Sequence, residues 1–232
     1  MNRSQLVNIL LTTVPESLTV PVYFAVSRHV MFMPSAGTVT QVVEGFSTTS
    51  SLSSNLNPSI YGQKVTWTAT VTSSGPVTPT GKVKFTWGDD TLGIAALNGG
   101  VGTITRLNLN ASSLPLTAVY SGDAMNQGST SSPLNQVVLQ TTSTATISSS
   151  PNPSVRGQVV TFTAKITSPT VIPKEPVIFT AGKTVLGTAQ LSGGVAKLTI
   201  SSLAVGSTKV TATYYGDSNI SQSTASVTQT VH

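Results

Sequence analysis

From residue 48 onward, apolar and polar residues alternate with a period of two along most of the chain. Val65, Trp67, Ala69 and Val71 interleave with Thr66, Thr68, Thr70 and Thr72, and Val160, Phe162, Ala164 and Ile166 with Thr161, Thr163, Lys165 and Thr167. Successive strand side chains point to opposite faces, so each stretch predicts a strand with one dry face and one wet, Thr-rich face. Antiparallel sheets packed on one side have this pattern. Val83, Phe85 and Trp87, and then Val177, Phe179 and Ala181, continue it. The exchange of Trp87 for Ala181 places that position at a sheet end, because a crowded core rarely absorbs so large a volume change. Gly88-Asp89-Asp90 and Gly182-Lys183-Thr184 read as turns, and Leu92-Gly93 and Leu186-Gly187 open short edge-like strands. Asn98-Gly99-Gly100 and Ser192-Gly193-Gly194 predict tight hairpins. Ile104 in one half, and Ala196, Leu198 and Ile200 in the other, mark the next strand. Leu116, Ala118 and Tyr120 match Val210, Ala212 and Tyr214, and the final strands hold Val137 and Leu139, and Val227 and Val231. This gives about seven strands in each half, the spacing of a β-sandwich.

The two halves repeat each other. Asn57-Pro58-Ser59-Ile60-Tyr61-Gly62-Gln63-Lys64-Val65-Thr66-Trp67-Thr68-Ala69 recurs 95 residues later as Asn152-Pro153-Ser154-Val155-Arg156-Gly157-Gln158-Val159-Val160-Thr161-Phe162-Thr163-Ala164. The predicted organisation is two tandem repeats, 48–139 and 142–232, with a linker of a few residues around Gln140-Thr141. So short a linker favours an extended arrangement. Residues 1–37 are an undetermined N-terminal segment, and residues 38–47 are read as a remnant last strand of a preceding repeat plus a linker. That reading rests on Val39-Thr40-Gln41-Val42-Val43, which matches Leu134-Asn135-Gln136-Val137-Val138 at the same offset. The apolar runs at 6–11 and 20–33 are too short or too charged for a spanning helix. They supply only a basic start and an apolar centre of a signal peptide, so export signal and fragment of an upstream domain both stay open.

Composition narrows the function classes. Charged residues are only 8% of the 232, against about 25% in a typical soluble domain. The net charge of +5 is scattered; Lys82 and Lys84, the tightest basic pair, flank Val83 within a strand, so no nucleic-acid interface is predicted. No cysteine is present, which removes disulfides, thiol catalysis and Cys-based zinc sites. His29 and His232 are the only histidines, too few for a His-based metal cluster or a Ser–His relay.

The shared landmarks, in order, are Asn-Pro-Ser, Gly-Gln, Val-Thr-Trp/Phe-Thr-Ala, Leu-Gly, Gly-Gly-Val and Ala-x-Tyr-x-Gly-Asp. This pattern resembles the bacterial immunoglobulin-like repeats that form tandem arrays on secreted and cell-surface proteins. The resemblance implies an all-β fold of two tandem immunoglobulin-like β-sandwiches of about seven antiparallel strands each. It also implies a non-catalytic spacer or stalk module of an extracellular or cell-surface, adhesin-like protein, with no cofactor. A glycan- or protein-binding module, or a fragment of a larger exported protein, is the alternative, with cell-surface proteins or glycans as partners. Tyr120 and Tyr214 take the place of the tyrosine before the Gly-Asp turn. Met125 stands where Asn219 stands, and Pro115 where Lys209 stands, so the first repeat departs from the pattern there.

No residue set predicts catalysis. Asp89, Asp90 and Glu175 lack a facing carboxylate of the kind glycoside hydrolysis needs. Lys64, tested for an isopeptide cross-link, points outward by alternation. Asp123 and Asp217 are the candidates for a calcium site, although Asp in a turn ordinarily accepts backbone N–H bonds and calcium wants six to eight oxygens. Tyr61, Trp87 and Tyr215 are the candidates for stacking against a ligand; none recurs in the other repeat, where Arg156, Ala181 and Ser121 stand instead. The expected core is Trp67, Phe85 and Tyr120 in the first repeat, and Phe162, Phe179 and Tyr214 in the second.

Overall fold

In the computed structural model, residues 18–23, 36–41 and 44–232 are described. The runs at 6–11 and 24–33, and His29, lie outside them. Among the described residues all regular structure is β. Strands β1 (Leu18–Tyr23) and β2 (Ala36–Gln41) form an antiparallel two-stranded sheet of their own, with Val20 opposite Val39.

The first repeat contains β3 (Thr48–Ser54), β4 (Ser59–Ile60), β5 (Val65–Ser73), β6 (Lys82–Trp87), β7 (Asp90–Ala96), β8 (Val101–Arg106), β9 (Ser112–Tyr120), β10 (Ser129–Thr130) and β11 (Leu134–Leu139). β3, β5 and β8 make one sheet; β4, β11, β9, β6 and β7 make the other in that order, with β10 beside β9. The second repeat contains β12 (Thr144–Ser150), β13 (Val160–Thr167), β14 (Val177–Ala181), β15 (Thr184–Ala189), β16 (Val195–Ile200), β17 (Gly206–Tyr214) and β18 (Ser223–Val231). β12, β13 and β16 face β15, β14, β17 and β18. Seven strands correspond between the repeats. The first adds the two-residue β4 and β10; opposite β4, the second keeps only a parallel bridge between Ser154 and Val231.

Alternation determines what is buried. β5 and β13 bury every apolar position named above, and Trp67, Phe85, Tyr120, Phe162, Phe179 and Tyr214 lie fully inside. The hairpins at Gly99-Gly100 and Gly193-Gly194 use positive φ throughout. A side chain on Gly100 would also meet the Val71 carbonyl oxygen at 2.6 Å, so glycine is needed there for two reasons.

Two strand positions depart from what alternation and propensity alone give. In β11 the inward positions are Gln136 and Val138, whereas Val137 is only half-buried and Leu139 is 49% exposed. A polar residue thus occupies the core frame, and the apolar Val137 and Leu139 lie out of it. Pro115 neither ends β9 nor delays its start: the strand begins at Ser112, with Pro115 opposite Asn135. At the equivalent Lys209, the β14 ladder has already stopped at Val210, so the position pairs on one side only. A residue without an N–H is tolerated where one side of a strand is open.

Candidate functional site

The Asn-Pro-Ser landmark lies where the first strand segment of each repeat meets the last. Asn57 uses its side-chain amide as a strand surrogate: Nδ2 donates to the Asn135 carbonyl at 2.8 Å, and Oδ1 accepts from the Val137 N–H at 2.9 Å. Asn152 does the same in the second repeat, donating to the Thr228 carbonyl at 2.7 Å and accepting from the Thr230 N–H at 3.1 Å. An exposed backbone edge is thus closed by an amide two or three residues before the strand itself pairs. Ser59 and Ile60 then run parallel to Val138 and Leu139, and the Tyr61 N–H bonds to the Leu139 carbonyl at 2.9 Å.

A second amide sits beneath this one. Gln136 is fully buried; its Nε2 donates to the Leu56 carbonyl at 2.9 Å and to Ser59 Oγ at 3.3 Å. Its Oε1 accepts from the Trp67 indole N–H at 3.0 Å and from Ser54 Oγ at 2.7 Å. All of its hydrogen-bonding capacity is met, as a buried amide requires. Gln229, equally buried, donates to the Pro151 carbonyl at 3.0 Å and Ser154 Oγ at 3.2 Å. Phe162, however, has no N–H to replace that of Trp67, and both Gln229 Oε1 and Ser149 Oγ are buried without a partner. Nothing in the periodicity singled out these glutamines; the available signal was that Gln41, Gln136 and Gln229 recur at one place in the last-strand motif.

At the start of this contact the chain is fastened by backbone and hydroxyl groups. Phe46 donates to the Met125 carbonyl at 2.8 Å and accepts from the Gln127 N–H at 2.8 Å. Thr141 occupies the same place against Asn219 and Ser221, at 2.9 Å each. Thr48 Oγ1 reaches the Gln127 carbonyl at 2.8 Å and Ser129 Oγ at 2.7 Å, and Ser50 Oγ meets Ser129 Oγ at 2.7 Å. In the second repeat Ser143 Oγ reaches the Ser221 carbonyl and Ser223 Oγ, both at 2.7 Å, while Ala145 stands where Ser50 stands.

The Gly-Asp turns hold the opposite loops. Asp123 accepts from the Met125 N–H at 2.9 Å, the Asn126 N–H at 2.8 Å, and the Thr80 N–H and hydroxyl at 2.8 Å each. Burial works against its ionisation, but these donors outweigh it and hold the carboxyl well below the usual carboxylate range. Asp217 accepts from the Asn219 and Ile220 N–H groups at 2.6 and 2.8 Å, with Lys174 where Thr80 stands. The turn needs only the backbone N–H of its third residue, so Met125 serves as well as Asn219. Burial, and after it the nearby Asp123, pushes the Tyr120 hydroxyl up to about 12; burial, then Asp217, does the same for Tyr214. Among the described residues no three His, Asp or Glu side chains converge on a metal position.

The aromatic candidates are not brought together by either repeat alone. Trp87 ends β6, 43% exposed, across the hairpin from Asp90. Tyr215 follows β17 and is 62% exposed, whereas Tyr61 is half-buried after β4. Lys64, Asp89, Asp90 and Glu175 are exposed.

Comparison with known families finds a match to the Bacterial Ig-like domain (group 3) over residues 49–139 and again over 147–232. No curated protein matches the chain in sequence. Among solved structures, the chain is similar to the fibronectin(III)-like modules of Clostridium thermocellum CbhA, with 18% identity, a TM-score of 0.35, and coverage of 78% of this chain and 93% of that one. It is also similar to the Yersinia pseudotuberculosis adhesin InvE, with 15% identity, TM-score 0.39, and coverage of 78% and 58%. The D0-D1 domain of intimin gives 20% identity, TM-score 0.31, and coverage of 79% and 99%.

Proposed function

Because the chain belongs to the bacterial Ig-like domain (group 3) family, we propose that it is a non-catalytic spacer or stalk module of an exported or cell-surface protein of the adhesin type. One observation carries this reading. In each repeat the first and last strand segments run parallel, as Ser59–Ile60 does with Val138–Leu139 and Ser154 with Val231. The chain therefore enters each sandwich at one end and leaves it at the other. A spacer needs that property and a binding module does not. The hairpin of β1 and β2 fits the same scheme: Val20 faces Val39 as Leu116 faces Leu134 and Val210 faces Val227. We read it as the closing hairpin of a further repeat.

The test is a display experiment. An epitope is carried on a bacterial surface above one, two or three copies of these repeats, and its accessibility to a large probe is measured. Accessibility rising with repeat number supports the spacer; accessibility independent of it refutes the reading. A second reading, glycan binding, is favoured by Trp87, whose exposed ring ends β6 across the hairpin from Asp90. A glycan array gives its test: binding lost in Trp87→Ala would establish it, and an empty array would remove it.

A further inference from the structure

The parallel arrangement has a mechanical consequence. Tension on a spacer pulls the first strand segment of a repeat back toward its entry and the last strand forward toward its exit. Two parallel segments loaded from opposite ends slide past each other, so the bonds between them lie across the load and bear it together. We infer that the line of contact between the first and last strand segments is a shear clamp that sets how long each repeat holds under load, and that the second repeat yields first. The inference rests on the spacer reading for the direction of the load.

In the first repeat the ties are spread along the whole line. Phe46 is bonded to Met125 and Gln127 at its start. Ser50 Oγ to Ser129 Oγ, 2.7 Å, and Ser54 Oγ to Gln136 Oε1, 2.7 Å, hold the middle. Asn57, with two bonds to the last strand, and then the β4–β11 ladder hold the end. The sequence separation between partners stays near eighty throughout, so the segments run in step. In the second repeat both ends are preserved, at Thr141 and Ser143 and again at Asn152 and Ser154. The middle is thinned to the Gln229 Nε2 bonds with Pro151 and Ser154: Ala145 has no hydroxyl, and Ser149 Oγ and Gln229 Oε1 are buried without partners. Two divergences from the first repeat, Ala145 for Ser50 and Phe162 for Trp67, coincide with the thinning of the middle ties. Hydroxyl and amide ties contribute only modestly to equilibrium stability, since water replaces them on unfolding. Under shear they count when they break together in the transition state.

The experiment is single-molecule stretching of the full chain at constant force. Two unfolding steps are expected, with the second repeat lost first. Asn57→Ala removes two exposed amide bonds from the first repeat without touching its core. It is expected to raise that repeat's unfolding rate under load by about thirtyfold, taking roughly one bond's worth of barrier for each. Asn152→Ala does the same to the other step and so identifies it. Val83→Ala, a core truncation away from the clamp, is the control: it lowers the urea midpoint of the first repeat but changes its lifetime under load by much less than Asn57→Ala. Equal lifetimes for the two repeats, or an unchanged lifetime in Asn57→Ala, would overturn the inference. Those results would leave the spacer reading standing, because display distance is measured separately. A clamp that holds beneath an epitope whose reach ignores repeat number would instead remove the spacer and keep the clamp.

Discussion

The buried glutamines allow one substitution to be made twice with unequal consequences. Gln136→Leu keeps the volume but removes an amide with five bonds. Leu56 and Ser54 can partly compensate, since Ser54 Oγ already lies 3.2 Å from the Leu56 carbonyl. The Trp67 indole N–H cannot; it is fully buried and would be left without an acceptor. One such orphan, with the net loss of the remaining bonds, gives a cost of roughly 2–4 kcal/mol. Gln229→Leu removes three bonds, to the Pro151 and Thr230 carbonyls and to Ser154 Oγ, but also an oxygen that is already unpaired. Its cost is about 1–2 kcal/mol, because no buried N–H is orphaned and the unpaired Oε1 is removed with the amide. The assay is favourable, since both tryptophans, Trp67 and Trp87, belong to the first repeat. Urea unfolding followed by tryptophan fluorescence therefore reports that repeat, and circular dichroism reports both. At an m-value of about 1–2 kcal/mol/M, Gln136→Leu moves the fluorescence midpoint down by about 1–4 M. Gln229→Leu leaves the fluorescence curve in place and shifts only the remaining dichroism transition, by less. Equal shifts in the two repeats, or a fluorescence midpoint unmoved by Gln136→Leu, would refute the reasoning.

Other outcomes follow from the same contacts. Trp67→Ala or Phe162→Ala should cost about 3–5 kcal/mol and unfold its repeat in calorimetry, while Tyr215→Ala, at an exposed position, should leave the melting profile unchanged. Asp123 has its folded pKa lowered, so its contribution is present above about pH 4, the unfolded value, and declines as pH falls further. Thermal melts should show the first repeat losing stability over that acid range in the parent and much less so in Asp123→Asn. Tyr120 and Tyr214 have raised pKa values, so burial of the neutral phenols stabilises both repeats below about pH 10 and is lost as pH rises toward about 12; a spectrophotometric titration should show two phenols ionising late. Calcium should leave both melting transitions in place, because the Asp123 oxygens are already taken by protein donors; a calcium-dependent rise would show that the turn opens to bind it.

Much of the architecture was legible because period-two alternation and a repeat offset are direct consequences of strand geometry. Trp67, Phe85 and their counterparts could be placed inside from that alone. The last strand was harder. Gln136 and Gln229 occupy inward positions, and a hydropathy pattern treats an inward polar residue as a break in register. Only the partners explain why an amide is tolerated there, and those partners lie in the loop before β4 and in β5. Asn57 and Asn152 were recognised as landmarks, but their role as surrogate strand residues depends on an edge that forms about eighty residues later in the chain. Pro115 is tolerated inside β9 for a related reason: propensity describes a strand with neighbours on both sides, and the equivalent Lys209 has one.

The account depends most on the paired amides closing the line between first and last strands. The Val137 and Thr230 N–H groups lie on half-buried, outward strand positions and donate to the side-chain oxygens of Asn57 and Asn152. Native-state hydrogen exchange at these two amides is the most direct test. Protection comparable to that of core amides in β5 and β13, falling to loop-like exchange at Val137 in Asn57→Ala and at Thr230 in Asn152→Ala, is the predicted result. Rapid exchange of both amides in the parent protein, while the β5 and β13 amides stay protected, would contradict it.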